Sequence, residues 1–341
     1  MATTMGEVWQ LLDSRTFGGI ETHVEHLCHG LFQAGFKTRV LLLNRYGDHP
    51  LVGRLRQASV PVEALNGTGA LASLMRSRRP NLLHTHGYKA GIIGRVLART
   101  MSVPVVSTFH NGDLGTGRIR LYTEIDRLTG PLSHQIAVSA SIGARIFGNH
   151  DVIENFVPLE RSRDTAGDPR SIAFAGRLSF EKGPDLFCRL AESLPEFTCH
   201  VYGDGPMRAD LQEQYGKVVE FHGQRDGLDQ TWPEVGLLCI TSRAEGLPLV
   251  ALEAMAASVP VASFDVGAMS QLINHRCDGW IASAGDIKQI ADHVRKHFAA
   301  STAVRKQMKS RARKRIEEQF SMKSQVPKIL EVYRKAATNS V

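Results

Sequence analysis

The stretch Ser242-Arg-Ala-Glu-Gly-Leu-Pro-Leu-Val-Ala-Leu-Glu253 is the most informative part of this sequence. It follows an apolar run typical of a buried strand, and its two glutamates, Glu245 and Glu253, stand eight positions apart. We expect a helix to begin near Gly246 or Leu247. Glu245 would then lie at the helix N-terminus, and Glu253 about two turns further on. Because free N–H groups at a helix N-terminus bind anions, the stretch predicts a diphosphate site, with an ordinary acidic surface helix as the alternative.

Short β-rich runs alternate with amphipathic segments on both sides of this stretch, a pattern typical of βα units and parallel sheets. Strands are predicted over 8–12, 38–43, 82–85, 105–108, 135–138, 172–175, 198–202, 218–221, 237–241 and 259–263. Helices are predicted over 21–34, 70–77, 91–100, 186–194, 207–215, 249–257 and 287–298, with two basic helices between 302 and 337. The polar segment Arg161–Pro169 predicts a linker between two doubly wound α/β domains, which bind ligands at the carboxyl ends of their strands.

Composition excludes several classes of protein. Of 341 residues, 43% are hydrophobic and 22% are charged, which is typical of a folded globular chain and excludes wholesale disorder. No apolar run approaches the ~20 residues that a bilayer crossing needs, and the N-terminus lacks a signal-peptide pattern. The five scattered cysteines include no C-x-x-C pair, so we expect free thiols in a reducing cytoplasm rather than disulfides or a zinc site.

The net charge of +7 is unevenly distributed. Residues 54–99 carry eight basic residues against one acidic residue, Glu63, and the tail 301–341 is also basic. Such zones attract a polyanionic substrate, an anionic membrane surface or nucleic acid, and their alternative interpretation is a set of solvated helix faces. Nucleic acid is the least favoured partner because no nucleic-acid-binding motif accompanies the charge.

Further motifs occur along the chain in a fixed order. They are Gly18-Gly19, His84-Thr-His86, Thr108-Phe-His110, Asn155-Phe-Val-Pro158, Gly176-Arg177-Leu, Glu181-Lys182-Gly183 and Tyr202-Gly-Asp-Gly-Pro206. Together with Glu245-x7-Glu253, they resemble the signatures of family 4 retaining glycosyltransferases, which have the GT-B architecture of two facing Rossmann-like domains. The resemblance covers roughly residues 6–335 and departs from the family pattern at Phe156, Ala268 and Gln271.

The resemblance implies a transferase that moves a hexosyl or N-acetylhexosaminyl group from a UDP- or GDP-linked donor to a glycan or lipid-linked acceptor, in cell-surface polysaccharide biosynthesis. It implies no metal and no cofactor. Arg177 and Lys182 would hold the diphosphate, and Glu245 and His110 would contact the transferred sugar. Donor-binding residues would be Glu253, Gly18, Gly19, Gly203, Gly205, Gly246, Leu247, Pro248 and Leu249.

The same resemblance implies an acceptor-binding domain over 1–160, a donor-binding domain over 161–320, and a C-terminal helix over 321–341 that packs back on the first domain. On the acceptor side we expect His86, Lys89 and Arg95. The interpretation of His84 and His86 is that they point to opposite faces of one strand, which disfavours a zinc site.

The basic segment 54–99 lies in the expected acceptor domain, which suggests peripheral docking on the inner face of a membrane. Two alternatives stay open: a GT-B sugar-nucleotide epimerase, and a non-catalytic partner subunit that binds a nucleotide-sugar. The epimerase would need further acid and base carboxylates that the motifs do not supply. The intact Glu245, Glu253, Arg177 and Lys182 argue against a degenerate subunit.

Overall fold

The computed structural model describes residues 6–110, 117–159, 170–225 and 227–338. The chain divides into two compact units, which we call unit 1 (Met1–Phe156 with Met322–Val341) and unit 2 (Val157–Ser321). The predicted linker Arg161–Pro169 lies outside the described residues.

Unit 1 is built on a parallel sheet of seven strands, in the order β3-β2-β1-β4-β5-β6-β7. The strands are β1 (Val8–Leu12), β2 (Thr38–Leu42), β3 (Val62–Ala64), β4 (Leu82–His86), β5 (Val105–Phe109), β6 (His134–Ala137) and β7 (His150–Val152). The helices are α1 (Gly19–Gln33), α2 (Pro50–Gln57), α3 (Thr68–Ser77), α4 (Tyr88–Thr100), α5 (Gly117–Thr129), α6 (Ala140–Gly143) and, from the C-terminus, α13 (Met322–Thr338).

Helix α13 belongs to unit 1 because its apolar face packs on α1. Its buried Val326, Ile329 and Tyr333 share a hydrophobic cluster with Leu27 and Leu31 of α1. The helices approach so closely at Gly30 that a Cβ there would lie 2.5 Å from Val326 Cγ2. Glycine at this position therefore permits the contact.

Unit 2 is built on a second parallel sheet of six strands, in the order β10-β9-β8-β11-β12-β13. Its strands are β8 (Ser171–Ala175), β9 (Thr198–Tyr202), β10 (Glu220–Gly223), β11 (Leu237–Ile240), β12 (Val261–Phe264) and β13 (Gly279–Ala282). Its helices are α7 (Pro184–Glu192), α8 (Arg208–Tyr215), α9 (Leu249–Ala256), α10 (Met269–Leu272), α11 (Ile287–Ala299) and α12 (Thr302–Gln319). None of the helices in the described parts of the chain combines the length and the apolarity needed to span a bilayer.

The predicted α/β class and the parallel sheets are confirmed, and every predicted strand is present within two residues of its expected ends. Three strands were missed, β3, β7 and β13, because they have only three or four residues each and lie at or near sheet edges. Helix α2 was also missed, although it begins with Pro50, a residue favoured in the first helical turn, and His49 caps it by accepting from Leu51 N at 3.2 Å.

Candidate functional site

The predicted diphosphate ligands lie on the loop after β8, at the carboxyl edge of the unit 2 sheet. Arg177 is exposed and has no ion-pair partner among the described residues. Lys182 ends a 3₁₀ turn, Phe180–Lys182, and its Nζ donates to both carboxylate oxygens of Glu245 at 2.8 Å each. Arg177 is therefore unpaired among the described residues, and Lys182, whose ammonium group has three N–H donors, contacts two oxygens of Glu245 and keeps one donor for a ligand.

Glu245 is held by two neighbours at this edge. Its side chain is only 6% exposed, and Ser242 Oγ donates to its Oε1 at 2.7 Å. Oε1 thus accepts from both Ser242 and Lys182, whereas Lys182 is the only donor to Oε2 in the described parts of the chain. A carboxylate oxygen has two lone pairs, so Oε2 retains room for one further donor such as a sugar hydroxyl.

Several hydrogen bonds connect the loop that carries Lys182 to the loop that carries Glu245. Arg243 makes a bidentate pair with Asp185, with N···O distances of 2.8 and 2.5 Å, and its backbone N donates to Glu181 O. The hydrogen bonds from Arg243 hold the pKa of Asp185 below its usual range. At Gly183, φ is +65° and a Cβ would lie 2.1 Å from Thr241 O, so only glycine fits there. Arg243 was not predicted as a site residue, although it lies within the stretch Ser242–Glu253.

Helix α9 begins at the first residue of the predicted helix 249–257. Its first residue is Leu249 and its N-cap is Pro248, which has an extended conformation (φ −71°, ψ 125°). The earlier start considered near Gly246 or Leu247 was wrong, because Pro248 favours extended backbone in the residue before it, Leu247. The amides of Leu249 and Val250 have no acceptor among the described residues, which leaves the helix N-terminus able to bind an anion.

Glu253 lies one helical turn after Leu249 and is partly buried. In an α-helix, residues four apart lie on the same face, so Glu253 and Leu249 share one face of α9. Gly246, Leu247 and Pro248 form the short segment that connects Glu245 to this helix.

The backbone of the turn Gly203–Gly205 is in direct contact with the backbone of the loop that carries Arg177. Gly203 has φ +135°, and a Cβ there would lie 1.9 Å from Gly176 O. Leu178 N donates to Asp204 O at 2.9 Å, and Gly203 N donates to Gly223 O at 2.8 Å. The predicted donor-binding glycines Gly203 and Gly205 therefore flank the backbone of the Arg177 loop.

A second close approach was not predicted. At Gly267 φ is +59°, and a Cβ would lie 2.2 Å from Glu245 O. Ala268 N also donates to Gly246 O at 2.9 Å. Ala268 departs from the family pattern in the sequence, and in the structure its loop supports the backbone of Glu245 and Gly246.

In unit 1 the predicted glycines lie at the start of α1. Gly18 is the N-cap of α1, and Gly19 is its first helical residue. A Cβ at Gly19 would meet nothing within 4 Å, so the space beside it is open. Lys89, predicted on the acceptor side, is partly exposed and pairs with Asp13 at 2.8 Å.

Four histidines lie together at the carboxyl ends of β1, β4 and β5. His84 and His86 are on the same face, with ring centroids 4.2 Å apart. The interpretation that they face opposite sides was wrong, because strand residues two apart share a face. His86 Nδ1 lies 3.2 Å from His110 Nε2, and the ring of His23 lies 4.7 Å from that of His110. Burial is the main cause that lowers the pKa of all four imidazoles well below the usual range, which keeps them neutral.

Two of the predicted acceptor-side residues are not accessible. His86 is 1% exposed, and both of its ring nitrogens are occupied, Nδ1 by His110 and Nε2 by Gln10 at 2.9 Å. Arg95 is also 1% exposed, and its guanidinium pairs with Asp126 at 2.5 Å. The prediction that these two side chains contact an acceptor is therefore wrong. His86 supports His110, and Arg95 ties α4 to α5.

Two groups of side chains have metal-ligand spacing in the described parts of the chain. One consists of His23, His86 and His110, whose nearest ring nitrogens all lie within 4.8 Å of one another. The hydrogen bonds of His86 account for its orientation there without an ion. The other consists of His200, Glu220 and His222, in unit 2.

Solved structures with the same arrangement of elements define the fold. Anabaena HepE in complex with UDP superposes with a TM-score of 0.81 at 18% identity, and the match covers 97% of this chain and 100% of that one. Sucrose-phosphate synthase from Thermosynechococcus elongatus gives a TM-score of 0.82 at 16% identity, covering 98% and 100%. These are GT-B glycosyltransferase structures, and the chain has the predicted GT-B fold.

Two family models match the sequence. Residues 159–315 match "Glycosyl transferases group 1", and residues 17–161 match "Glycosyltransferase Family 4". The two matches together span residues 17–315 and, with the fold, support a GT4-type glycosyltransferase family for this chain.

Curated relatives agree with that family. D-inositol 3-phosphate glycosyltransferase of Mycobacterium tuberculosis (strain H37Ra) is 27% identical over 297 residues, which are 75% of this chain and 62% of the relative. Sulfoquinovosyl transferase SQD2 of Arabidopsis thaliana is 25% identical over 252 residues, 64% of this chain and 49% of the relative. The chain thus spans about half to two-thirds of the lengths of these relatives.

Proposed function

We propose that this protein is a retaining glycosyltransferase that moves a hexosyl or N-acetylhexosaminyl group from a nucleotide diphosphate-sugar to a glycan or lipid-linked acceptor, in the synthesis of a cell-surface polysaccharide. The observation that carries the proposal is the convergence of Arg177, Lys182, Glu245 and the N-terminus of α9 at one edge of the unit 2 sheet. UDP is the favoured nucleotide because HepE binds UDP and UDP-glucose, and GDP is the alternative.

The proposed reaction is a displacement on the same face of the sugar. The bond from the anomeric carbon to the donor's phosphate oxygen breaks while the acceptor hydroxyl oxygen attacks that carbon. The departing phosphate oxygen takes the acceptor's proton. Arg177 and Lys182 stabilise the charge that builds on the diphosphate, so this donor site needs no metal ion.

The remaining roles follow from position and chemistry. Glu245 Oε2 accepts from a sugar hydroxyl, and Glu253 accepts from the ribose. The amides of Leu249 and Val250 donate to the diphosphate. In unit 1, His110 contacts the transferred sugar as a neutral hydrogen-bonding group, since the pKa of its imidazole is lowered well below the usual range by burial.

The experiment that tests the donor class is thermal unfolding with UDP, GDP, ADP and their sugar conjugates. A ligand at 100 times its dissociation constant stabilises a protein by ~2.7 kcal/mol, which shifts the midpoint measurably. We expect one nucleotide family to raise the midpoint of the wild type and of Glu213→Ala, an exposed glutamate on α8, but not that of Glu253→Ala. No shift with any nucleotide would contradict the proposed donor site.

The same samples separate the two alternatives. An epimerase would convert or cleave the donor without any acceptor, and a binding-only subunit would show the shift but no turnover with any acceptor extract. Transfer that depends on an added acceptor favours the transferase. Products that form equally well without acceptor would replace the transferase proposal by the epimerase.

We also propose that unit 1 docks on an anionic membrane surface. Of the eight basic residues in 54–99, four make ion pairs or backbone contacts: Arg54, Arg79, Lys89 and Arg95. The exposed arginines Arg56, Arg76, Arg78 and Arg99 make no ion pair among the described residues. Helix α5 of the same unit exposes the apolar side chains of Ile119, Leu121 and Leu128.

Vesicle binding tests this docking. Replacing the four exposed arginines by Gln is expected to weaken sedimentation with anionic vesicles by about 1 kcal/mol per charge, because each basic residue near such a surface contributes about that much. The charge-matched control replaces Lys217, Lys288, Lys306 and Arg311 of unit 2, which are also exposed. Equal binding by the two quadruple variants would contradict the docking surface.

A further inference from the structure

The outermost strand of the unit 2 sheet, β10, and its neighbour β9 carry three side chains that the proposed reaction does not use. Strands β9 and β10 pair in parallel there, with Glu220 opposite His200. The pairing of β10 with β9 is irregular between Phe221 and Gly223, and the ring of His222 lies beside that of His200, with ring centroids 5.2 Å apart. We call His200, Glu220 and His222 the edge triad.

The polar atoms of the edge triad form a nearly equilateral triangle. His200 Nδ1 and His222 Nε2 are hydrogen-bonded at 3.1 Å, and an ion bound between them would replace that bond. Glu220 Oε2 lies 3.3 Å from His200 Nδ1 and 3.7 Å from His222 Nε2. These separations average about 3.4 Å, which is the spacing between two ligand atoms of a tetrahedral Zn²⁺ whose bonds to histidine nitrogen and carboxylate oxygen are ~2.0–2.2 Å long. An ion can therefore be placed with almost no movement of the side chains.

The environment of the edge triad suits an ion as well as the distances do. The side chains of His200, His222 and Glu220 are 14%, 25% and 61% exposed, so an ion can enter from solvent and a fourth position stays open. The ring of Tyr202 stacks on His222 at 4.6 Å and 13°, which fixes its plane.

We propose that His200, His222 and Glu220 bind a divalent transition metal ion, Zn²⁺ in the first instance. Two imidazoles and one carboxylate leave a fourth position for water, a donor set that tetrahedral zinc accepts. The ion would clamp the edge strand β10 to β9. Because Gly203 N donates to Gly223 O immediately after the triad, the ion would also fix the turn that carries the predicted donor-binding glycines.

The test uses the full chain without an affinity tag, stripped with a chelator and then titrated with Zn²⁺ and Co²⁺. We expect one ion per chain, visible absorption bands of Co²⁺ typical of a four-coordinate ion, and a higher unfolding midpoint with Zn²⁺. His200→Ala or His222→Ala is expected to weaken Zn²⁺ binding by more than the roughly 10- to 100-fold that loss of an outer-shell partner costs. Glu220→Gln, which keeps both rings and the side-chain shape, is expected to weaken binding as well.

Two controls make the result decisive. His29→Ala removes an exposed histidine of α1 and should leave the binding unchanged. His23→Gln reports on the group in unit 1: loss of the ion in this variant, with binding intact in His222→Ala, would overturn the proposal. The absence of stoichiometric binding to the wild type, or equal binding by the wild type and Glu220→Gln, would also overturn it, because that variant retains both imidazoles.

Discussion

Lys182→Met is expected to cost both turnover and stability. Lys182 is the partner of a carboxylate that is only 6% exposed, so its removal leaves Ser242 as the one remaining donor to the Glu245 side chain among the described residues. Leaving a buried polar group short of partners costs about 1–3 kcal/mol of unfolding free energy. The loss of one preorganised donor to the leaving diphosphate is expected to lower kcat/KM by about 10²- to 10³-fold.

The two losses can be separated by a second substitution. In Lys182→Met/Glu245→Gln an uncharged amide replaces the carboxylate of Glu245. We therefore expect most of the lost stability to return while turnover stays low. Urea unfolding and initial rates of transfer, measured on both variants and on Lys217→Met as an exposed control of unit 2, check this. Turnover restored by Glu245→Gln would show that Lys182 serves only to hold Glu245.

The pairing of Lys182 with Glu245 also shows where sequence reasoning stops. Each residue was recognised in its own motif, and both were placed at the carboxyl end of a strand, because parallel strands bring their following loops to one edge. The direct contact joins positions 63 apart in the chain, and no local pattern encodes which loop side chains meet. The bonds from Arg243 to Asp185 and the approach of Gly267 to Glu245 are contacts of the same kind.

The histidines show a second limit. Residues two apart on a strand share a face, so the sequence was sufficient to place His84 and His86 on one face, and the interpretation misapplied this rule. What the sequence did not contain is their surroundings: His84 Nδ1 lies 2.7 Å from Tyr333 Oη, on a helix 249 positions away. Similarly, Arg95 belongs to a basic segment in the sequence but is buried in the fold, because α5 covers α4 and supplies Asp126.

Asp126→Asn is expected to destabilise unit 1 by about 3–5 kcal/mol at neutral pH, because it leaves a buried guanidinium without its counter-charge. Arg95 is 1% exposed, and an arginine cannot release its proton to escape the cost. Burial already lowers the pKa of Arg95 and raises the pKa of Asp126 above its usual range, while each partner acts in the opposite direction. The pair thus offsets a desolvation cost that either partner alone would bear.

Arg95→Met is expected to behave differently, because the carboxyl that it leaves behind can take up a proton. Without the cation the pKa of Asp126 rises further above its unfolded-state value. A group whose pKa is raised on folding contributes most stability below its unfolded pKa and loses it as the pH rises through its folded pKa. The destabilisation by Arg95→Met should therefore shrink on acidification from pH ~7 to ~5, by up to ~1.4 kcal/mol per pH unit, whereas that by Asp126→Asn should not.

Urea unfolding at several pH values measures both effects, with hydrogen exchange read by mass spectrometry to assign the transition to unit 1. Arg99→Met, an exposed arginine on the same helix α4, is the matched control and is expected to change stability little. Replacing both partners, as Arg95→Met/Asp126→Asn, should give a variant more stable than Asp126→Asn alone, because no unpaired charge remains buried. Parallel pH profiles for Arg95→Met and Asp126→Asn would contradict the assignment, since they would mean that Asp126 does not carry the charge that Arg95 neutralises.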